Sequence, residues 1–332
     1  MESGKFWLYP KLWPVKFDNF NKTILDKLTL PADNIINQSI NGNSILIMDE
    51  TRNPTLSYKD RASSLVALKA IELGIDRIAA ASTGNAGSSL AGICARLGLK
   101  SHIYVPKNIP DAKRIQIEAY GANIVVVDGD YDFAFDKCLE DSKINSWYNR
   151  NTAYNPLTIE GKKSAAYDIF IQTKGNIPDI IFVPVGDGVI ISGIFKGFSE
   201  LLKLGWIKNL PQLIAVQSNK SDAVINYLSS NKFVYKPATT IADSISAGAP
   251  RNLYMAANAV MQSGGFGISV SDENILQSQK EFIIKTGILC EPSSAATYAA
   301  YKLLINENKL QNKSVLLLIT GNGLKDIESL KR

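Results

Sequence analysis

From residue 59 onward the chain switches repeatedly between two hydrophobic rhythms. In "DRASSLVALKAIELG" Ala62, Leu65, Val66 and Leu73 mark the apolar side of a helix, and Gly74 supplies its C-terminal stop. The short strand "RIAAAS" follows, then a Gly/Ser loop and a helix carrying Leu90, Ile93, Cys94 and Leu97 up to Gly98. Strand "HIYVP", helix "DAKRIQIEAYG", strand "NIVVVDG" and helix "DFAFDKCLED" continue the alternation. Beyond "YNPLT" the pattern predicts one helix over "EGKKSAAYDIFIQTKG", strand "DIIFVPVG", helix "IISGIFKGFSELLKLG" and strand "LIAVQ". The last section ends in strand "SVLLLIT" and the loop "GNG". These strands are short and rich in Ile and Val, as strands buried on both faces of a parallel sheet are. Repeated β-α-β units predict an α/β protein whose ligands gather at the carboxyl ends of the strands. The first fifty residues lack a clear period and predict a covering arm with an edge strand, "SILIMDE".

Composition narrows the chemistry. The chain has 332 residues, 45% hydrophobic and 20% charged, an ordinary globular balance. The net charge of +5 is spread without a long run of one sign, which is not a nucleic-acid footprint. Cys94, Cys138 and Cys290 are dispersed and odd in number, which argues against a disulfide framework or a zinc knuckle and for a reducing compartment. No stretch reaches the length of a membrane span and the N-terminus lacks a continuous apolar run, so a cytoplasmic protein without a membrane partner is expected. His102 is the only histidine, and it falls in the strand "SHIYVP". Metal sites built on two or three histidines cannot form, no metal is expected, and a Ser-His-Asp triad would have to use His102. Proton chemistry is left to lysine, carboxylate, hydroxyl or a cofactor.

Three strand-to-helix loops and one lysine carry the candidate chemistry. "ASTGNAGSSL" places Ser82, Thr83, Gly84, Asn85 and Ala86 where a helix begins, either as a well-capped turn or as a seat for a carboxylate or phosphate. "VPVGDGVIISG" places Gly186, Asp187, Gly188, Val189 and Ile190 in the same position after another strand, an anion cradle that is neither a GxGxxG nor a Walker loop. Asp187 suits a phosphate neighbour only if its side chain turns away or caps. Thr320 ends a third buried strand, where its hydroxyl can cap a turn or reach a ligand heteroatom. Lys59, in "NPTLSYKDR", sits at the mouth of a helix, where the macrodipole disfavours a positive charge. A covalent lysine, a phosphate cradle, a hydroxyl for a ring nitrogen and a carboxylate seat are what pyridoxal phosphate requires.

The segments "NPTLSYKDR", "STGNAGSSLAGICARLG", "NPLTIEGKKSAAYDI", "VPVGDGVIISGIFKGF" and "ITGNGLKD" resemble, in order, the motifs of threonine synthases. Those enzymes belong to the pyridoxal-phosphate family of tryptophan-synthase-β type, which also holds serine and threonine dehydratases. The resemblance implies two open, twisted, mostly parallel sheets with flanking helices. A smaller domain (residues 63–155) is inserted in a larger one (1–62 and 156–332), with the cofactor between them. It implies that Lys59 holds the cofactor covalently and acts as the base beside Cα. Asn85 would bond the ring's phenolic oxygen, and residues 82–86 would hold the substrate carboxylate. Residues 186–190 would hold the cofactor phosphate, and Thr320 would face the ring nitrogen. A hydroxyl there does not enforce a protonated ring, which favours elimination and replacement over transamination.

The sequence departs from the pattern at Thr158, where an arginine that binds the substrate phosphate is expected. Lys162 and Lys163 lie nearby as substitutes. Glu291, before an apolar helix in "CEPSSAATYAA", is a good helix start and also aligns with a family position near the cofactor, a minor site candidate. The implied reaction turns O-phosphohomoserine and water into threonine and phosphate. The alternatives are a threonine or serine ammonia-lyase, or β-replacement on a phosphorylated or acylated serine. The implied partner set is an amino-acid substrate and a second copy of the chain, with no nucleic acid.

Overall fold

The computed structural model describes residues 2–40, 42–107, 109 and 111–331. An arm of short 3-10 turns leads through α1 (Lys22–Asp26) to β1 (Ile35–Ile40) and β2 (Asn43–Asp49). Next come α2 (Lys59–Glu72), β3 (Arg77–Ala81), α3 (Asn85–Leu97), β4 (Lys100–Pro106), α4 (Asp111–Ala119), β5 (Asn123–Val127), α5 (Tyr131–Ile144) and β6 (Tyr148–Asn149). The chain continues through α6 (Leu157–Lys162), α7 (Ser164–Gln172), β7 (Ile180–Pro184), α8 (Val189–Lys203), β8 (Gln212–Ser218) and α9 (Ala223–Ser230). It finishes with α10 (Leu253–Gln262), β9 (Gly267–Val270), α11 (Asp272–Thr286), α12 (Pro292–Asn306), β10 (Val315–Ile319) and α13 (Ile327–Leu330).

The larger of two compact units comprises Ala32–Arg52 and Lys163–Arg332. Its six-stranded sheet has the order β1-β2-β10-β7-β8-β9. All pairs are parallel except β1 with β2. Phe182 lies in register with Leu317 on one side and Ile214 on the other, all three fully buried. Ala295, Ala296 and Tyr298 of α12 pack in the same core. Each large side chain so buried stabilises by about 1.5–3 kcal/mol, and the packing fixes where β7 and β10 end. The expected edge strand is β2, and it is not at the edge. β1, missed by the sequence reading, pairs outside it, because "IINQSI" alternates too weakly to show a period of two.

The smaller unit comprises Glu2–Pro31 and Asn53–Lys162. The sequence drew this boundary at 63 and 155 instead. Its four-stranded sheet, β5-β4-β3-β6, is parallel throughout. Ala79, Ala81 and Tyr104 pack on Ala134, Phe135 and Cys138 of α5. In the arm, Phe6 packs edge-on against Trp7, Trp13 and Phe17. α2 is buried nearly all round, Asp60, Arg61, Ser63 and Ser64 included, while Leu73 at its C-terminus is exposed. The single helix expected over "EGKKSAAYDIFIQTKG" divides into α6 and α7 at Lys163.

Candidate active site

Lys59 is the first residue of α2, and the residue before it, Tyr58, provides no side-chain cap. The Tyr58 ring is fully buried and its hydroxyl donates to the Lys162 carbonyl at 2.8 Å. Asp60 accepts from the Thr55 N–H at 2.7 Å, from the Thr55 hydroxyl, and from Ser89 Oγ at 2.7 Å. Leu56 is held left-handed at φ 63°, a conformation that costs a non-glycine residue about 1–2 kcal/mol. These contacts clamp the backbone on both sides of Lys59.

The 82–86 loop leaves the carboxyl end of β3. Gly84 stands at the N-cap of α3, so no side chain caps that helix, and Ser82 Oγ instead accepts from the Gly84 N–H at 3.2 Å. The start of α3 therefore has no side-chain cap, and a helix start of that kind is compatible with an anion. Lys59 and Ser63 share one face of α2, as Asn85 and Ser89 do on α3, each pair four residues apart. Ser89 Oγ and Ser63 Oγ are hydrogen-bonded at 2.7 Å. The two helix starts that carry Lys59 and Asn85 are thus tied together one turn further on. Thr158 is fully buried at the head of α6, and its hydroxyl donates to the Asn155 carbonyl at 2.8 Å.

In the larger unit, residues 186–190 join β7 to α8, with Gly188 at the N-cap and no side-chain cap. Gly188 has φ 85°, and a Cβ there would stand 2.5 Å from the Ala256 Cβ. A Cβ on Gly186 would stand 2.9 Å from the Ile245 Cα. Asp187 turns toward the 251–252 segment. Its Oδ1 accepts from the Arg251 N–H at 3.4 Å and its carbonyl from the Asn252 N–H at 3.1 Å. Asn252 Nδ2 donates to Ser192 Oγ at 2.7 Å and to the Gly188 carbonyl at 3.3 Å, bracing the loop from behind.

Thr320, at the end of β10, meets Ser294 of α12, their hydroxyl oxygens 3.2 Å apart. Glu291 is the N-cap residue of α12, but its carboxylate does not cap. It accepts from Ser293 Oγ at 2.7 Å and Ser244 Oγ at 3.3 Å, and it packs over Gly321. Ser244 and Ile245 in turn floor the Gly186 turn. Residues 244–245 thus connect the 186–190 loop to Glu291 and, through it, to Gly321 beside Thr320. Sequence reasoning missed Ser244, Asn252 and Ser294. Ser294 lay in a quoted motif and was read only as a helix start, while "ADSISAG" and "PRNL" carry no local signal.

Residues 29–321 match the family described as pyridoxal-phosphate dependent enzyme. The chain belongs to that family. The threonine synthase of Methanocaldococcus jannaschii is 33% identical over 332 residues, covering 98% of this chain and 82% of that protein. The threonine synthase of Mycobacterium tuberculosis is 33% identical, covering 97% and 89%. Among solved structures, maize serine racemase superposes with a TM-score of 0.76 at 18% identity, covering 96% of each chain. Threonine deaminase isoform 2 from Solanum lycopersicum gives 0.74 at 19%, covering 93% and 91%. At these identities the structures establish the fold, the two-sheet α/β architecture of pyridoxal-phosphate enzymes.

The residues present fit that cofactor. The Gly186–Gly188 turn leaves no room for a side chain, its helix start is uncapped, and the one acidic residue in it points at a backbone amide. Competing chemistry finds no support. His102 stacks on Trp147 with ring centroids 3.8 Å apart, an ordinary strand position. Burial pushes the thiols of Cys94 and Cys138 up to about 12 and that of Cys290 higher still, so none is a ready thiolate. Among the described residues no cluster of His, Cys, Asp and Glu could hold a metal ion, and no helix is long and apolar enough to cross a membrane.

Proposed function

We propose that this pyridoxal-phosphate enzyme is a threonine synthase, converting O-phosphohomoserine and water to threonine and phosphate. What supports the reading is the likeness to threonine synthases at 33% identity over 98% of the chain. In this reading Lys59 holds the cofactor, and the 186–190 loop grips its phosphate. Asn85 and Thr320 bond the ring, and residues 82–86 hold the substrate carboxylate. Glu291 steadies Gly321 and Ser244 around the ring. Thr158 is enclosed and its hydroxyl is committed to Asn155, so it offers the substrate phosphate no donor.

When bound, the cofactor holds the substrate amino group and takes up negative charge from Cα. Lys59 removes the Cα proton, a role open to an amine once it is released from the cofactor beside Cα. After a Cβ proton is also lost, the Cγ–O bond breaks with its electron pair leaving on phosphate. The oxygen of water then adds at Cβ, and protons return to Cγ and Cα. The 82–86 amides keep the carboxylate fixed throughout, so the Cα–H bond stays aligned with Lys59. The competing reading, ammonia release from threonine or serine, draws on the threonine at position 158.

We also place the enzyme in the cytoplasm as a homodimer. Exposed Tyr254, Met255 and Met261 on α10 offer apolar side chains to a second copy.

The test is direct. Purified protein should show the visible absorption band of the lysine-bound cofactor, and Lys59→Ala should lose it. O-phosphohomoserine should yield phosphate and threonine in equal amounts. A 2-oxo acid, or phosphate without threonine, would overturn the assignment.

A further inference from the structure

Arg150 follows directly on β6, at the carboxyl end of the smaller sheet. Its N–H donates to the Ala79 carbonyl at 2.8 Å, and its side chain is fully buried. Nε donates to Ser63 Oγ at 3.4 Å and Nη1 to Thr152 Oγ1 at 2.6 Å. Nη2 meets neither solvent nor a hydrogen-bond acceptor among the described residues. A guanidinium carries five N–H donors in a rigid fork matched to phosphate and carboxylate, and a buried donor left unmet forfeits its full desolvation cost. Burial lowers the group to about 10 against the opposing pull of Tyr131 and Asp60, so it keeps its charge at neutral pH.

Its place in the unit gives that charge a use. Ser63 lies one turn on from Lys59. Ser89, hydrogen-bonded to Ser63, lies one turn on from Asn85. The guanidinium therefore sits one helical turn from the point where the lysine and the carboxylate loop begin. Asp60 spends its oxygens on Thr55 and Ser89. Of the two cations the sequence offered beside Thr158, Lys162 and Lys163, the second is paired with Glu200 at 3.0 Å. The Thr158 hydroxyl is committed to Asn155.

We propose that Arg150 is the receptor for the distal anionic group of the substrate, with Ser63 and Thr152 as flanking hydroxyls. The inference rests on the reading above in taking that group to be a phosphate ester. Because Nη2 is closed to solvent, the anion reaches it only when a covering segment moves.

The test uses cofactor-loaded wild type, Arg150→Met and Arg150→Lys. Calorimetry measures inorganic phosphate binding. The visible band measures binding of O-phosphohomoserine and of norvaline, which has no distal anion. Arg150→Met should weaken inorganic phosphate and the phosphorylated amino acid by about 30- to 100-fold, with norvaline changed less than about 3-fold, and Arg150→Lys should recover part of the loss. Equal weakening of all three ligands would place Arg150 on the α-carboxylate or in a structural role and overturn the proposal, as would no weakening. If Arg150→Met does not fold, unchanged phosphate binding in Arg150→Lys overturns it. If wild type ignores O-phosphohomoserine yet binds inorganic phosphate through Arg150, the threonine synthase reading falls and the anion receptor stands.

Discussion

Ser294 Oγ accepts the backbone N–H groups of Thr320 and Gly321, both at 3.0 Å, while lying 3.2 Å from Thr320 Oγ1. With its acceptor positions filled, the Ser294 hydroxyl has its own hydrogen to give, and Thr320 Oγ1 is the shorter of the two oxygens in reach. Thr320 is then left to donate elsewhere, which is what a hydroxyl facing a ring nitrogen must do. Ser294→Ala removes the acceptor for two buried N–H groups. Its expected cost is about 2–3 kcal/mol in stability and at least a 10-fold weaker hold on the cofactor. Thermal melts and fluorescence titration of the apoprotein with pyridoxal phosphate read the two effects. Unchanged affinity would mean that Thr320 does not depend on Ser294.

Gly188 takes a backbone conformation that side chains disfavour, at a point where a Cβ would collide with Ala256. Ala256 is fully buried on α10 and cannot yield without moving that helix. Gly188→Ala should therefore open the 186–190 loop, costing about 1–3 kcal/mol and much of the cofactor's grip. The melting temperature of wild type should rise on adding pyridoxal phosphate, and that rise should be absent in the variant. Gly74, also at positive φ but with open space around it, is the control. Gly74→Ala should cost backbone strain alone and keep the cofactor-dependent rise.

Most of the strands and helices were legible because each is either an unbroken apolar run or a clear helical stripe. β7 and β10 read as apolar runs, and Gly98 and Gly287 stop their helices in left-handed caps as a glycine in that place should. The 82–86 and 186–190 loops could be singled out as candidates for a related reason, since glycine and small residues at a strand exit change the local pattern. The structure's partners for those loops were not legible. Ser244, Asn252 and Ser294 act through contacts 26 to 64 residues away in sequence, and nothing local distinguishes them. β1 was missed because half its residues are polar without strict alternation. Arg150 was passed over because one basic residue beside a short strand looks like any solvated arginine until its burial is known.

Glu281 of α11 accepts from Lys285 at 2.6 Å and Tyr298 at 2.9 Å through one oxygen and from Lys302 at 2.6 Å through the other. Burial works to raise its pKa, but the hydrogen bonds from Lys285, Lys302 and Tyr298 outweigh that and hold it at about 2. A carboxylate whose folded pKa lies below its unfolded value contributes stability that is complete above the unfolded value. Here that stability should be lost as pH falls from about 4.5 to about 2. The network ties α11 to α12, the helix that carries Ser294. Glu281→Gln should cost about 1–2 kcal/mol at neutral pH, and the gap to wild type should close across that acid range. A gap that stays constant from pH 7 to pH 2 would show that the network contributes through packing and not through charge.

Thr158 decides whether the missing arginine can be restored. The resemblance to threonine synthases suggests that arginine here would improve use of a phosphorylated substrate. The structure argues otherwise, since the side chain is fully enclosed and its hydroxyl already satisfies the Asn155 carbonyl. Asn155 in turn caps the start of α6, its Oδ1 accepting the Leu157 N–H at 2.9 Å. A guanidinium forced into that corner must displace α6 or leave its own donors unmet, and overpacking of this kind costs about 1–3 kcal/mol. Thr158→Arg should therefore lower the melting temperature and reduce turnover of O-phosphohomoserine. Thr158→Ser, which keeps the bond to Asn155, should stay within about 1 kcal/mol of wild type. Steady-state kinetics with phosphate release as the readout, alongside thermal melts, separates the outcomes. A stable Thr158→Arg variant with a lower KM for O-phosphohomoserine would show that this corner opens onto the substrate and that Arg150 is not its only cationic ligand.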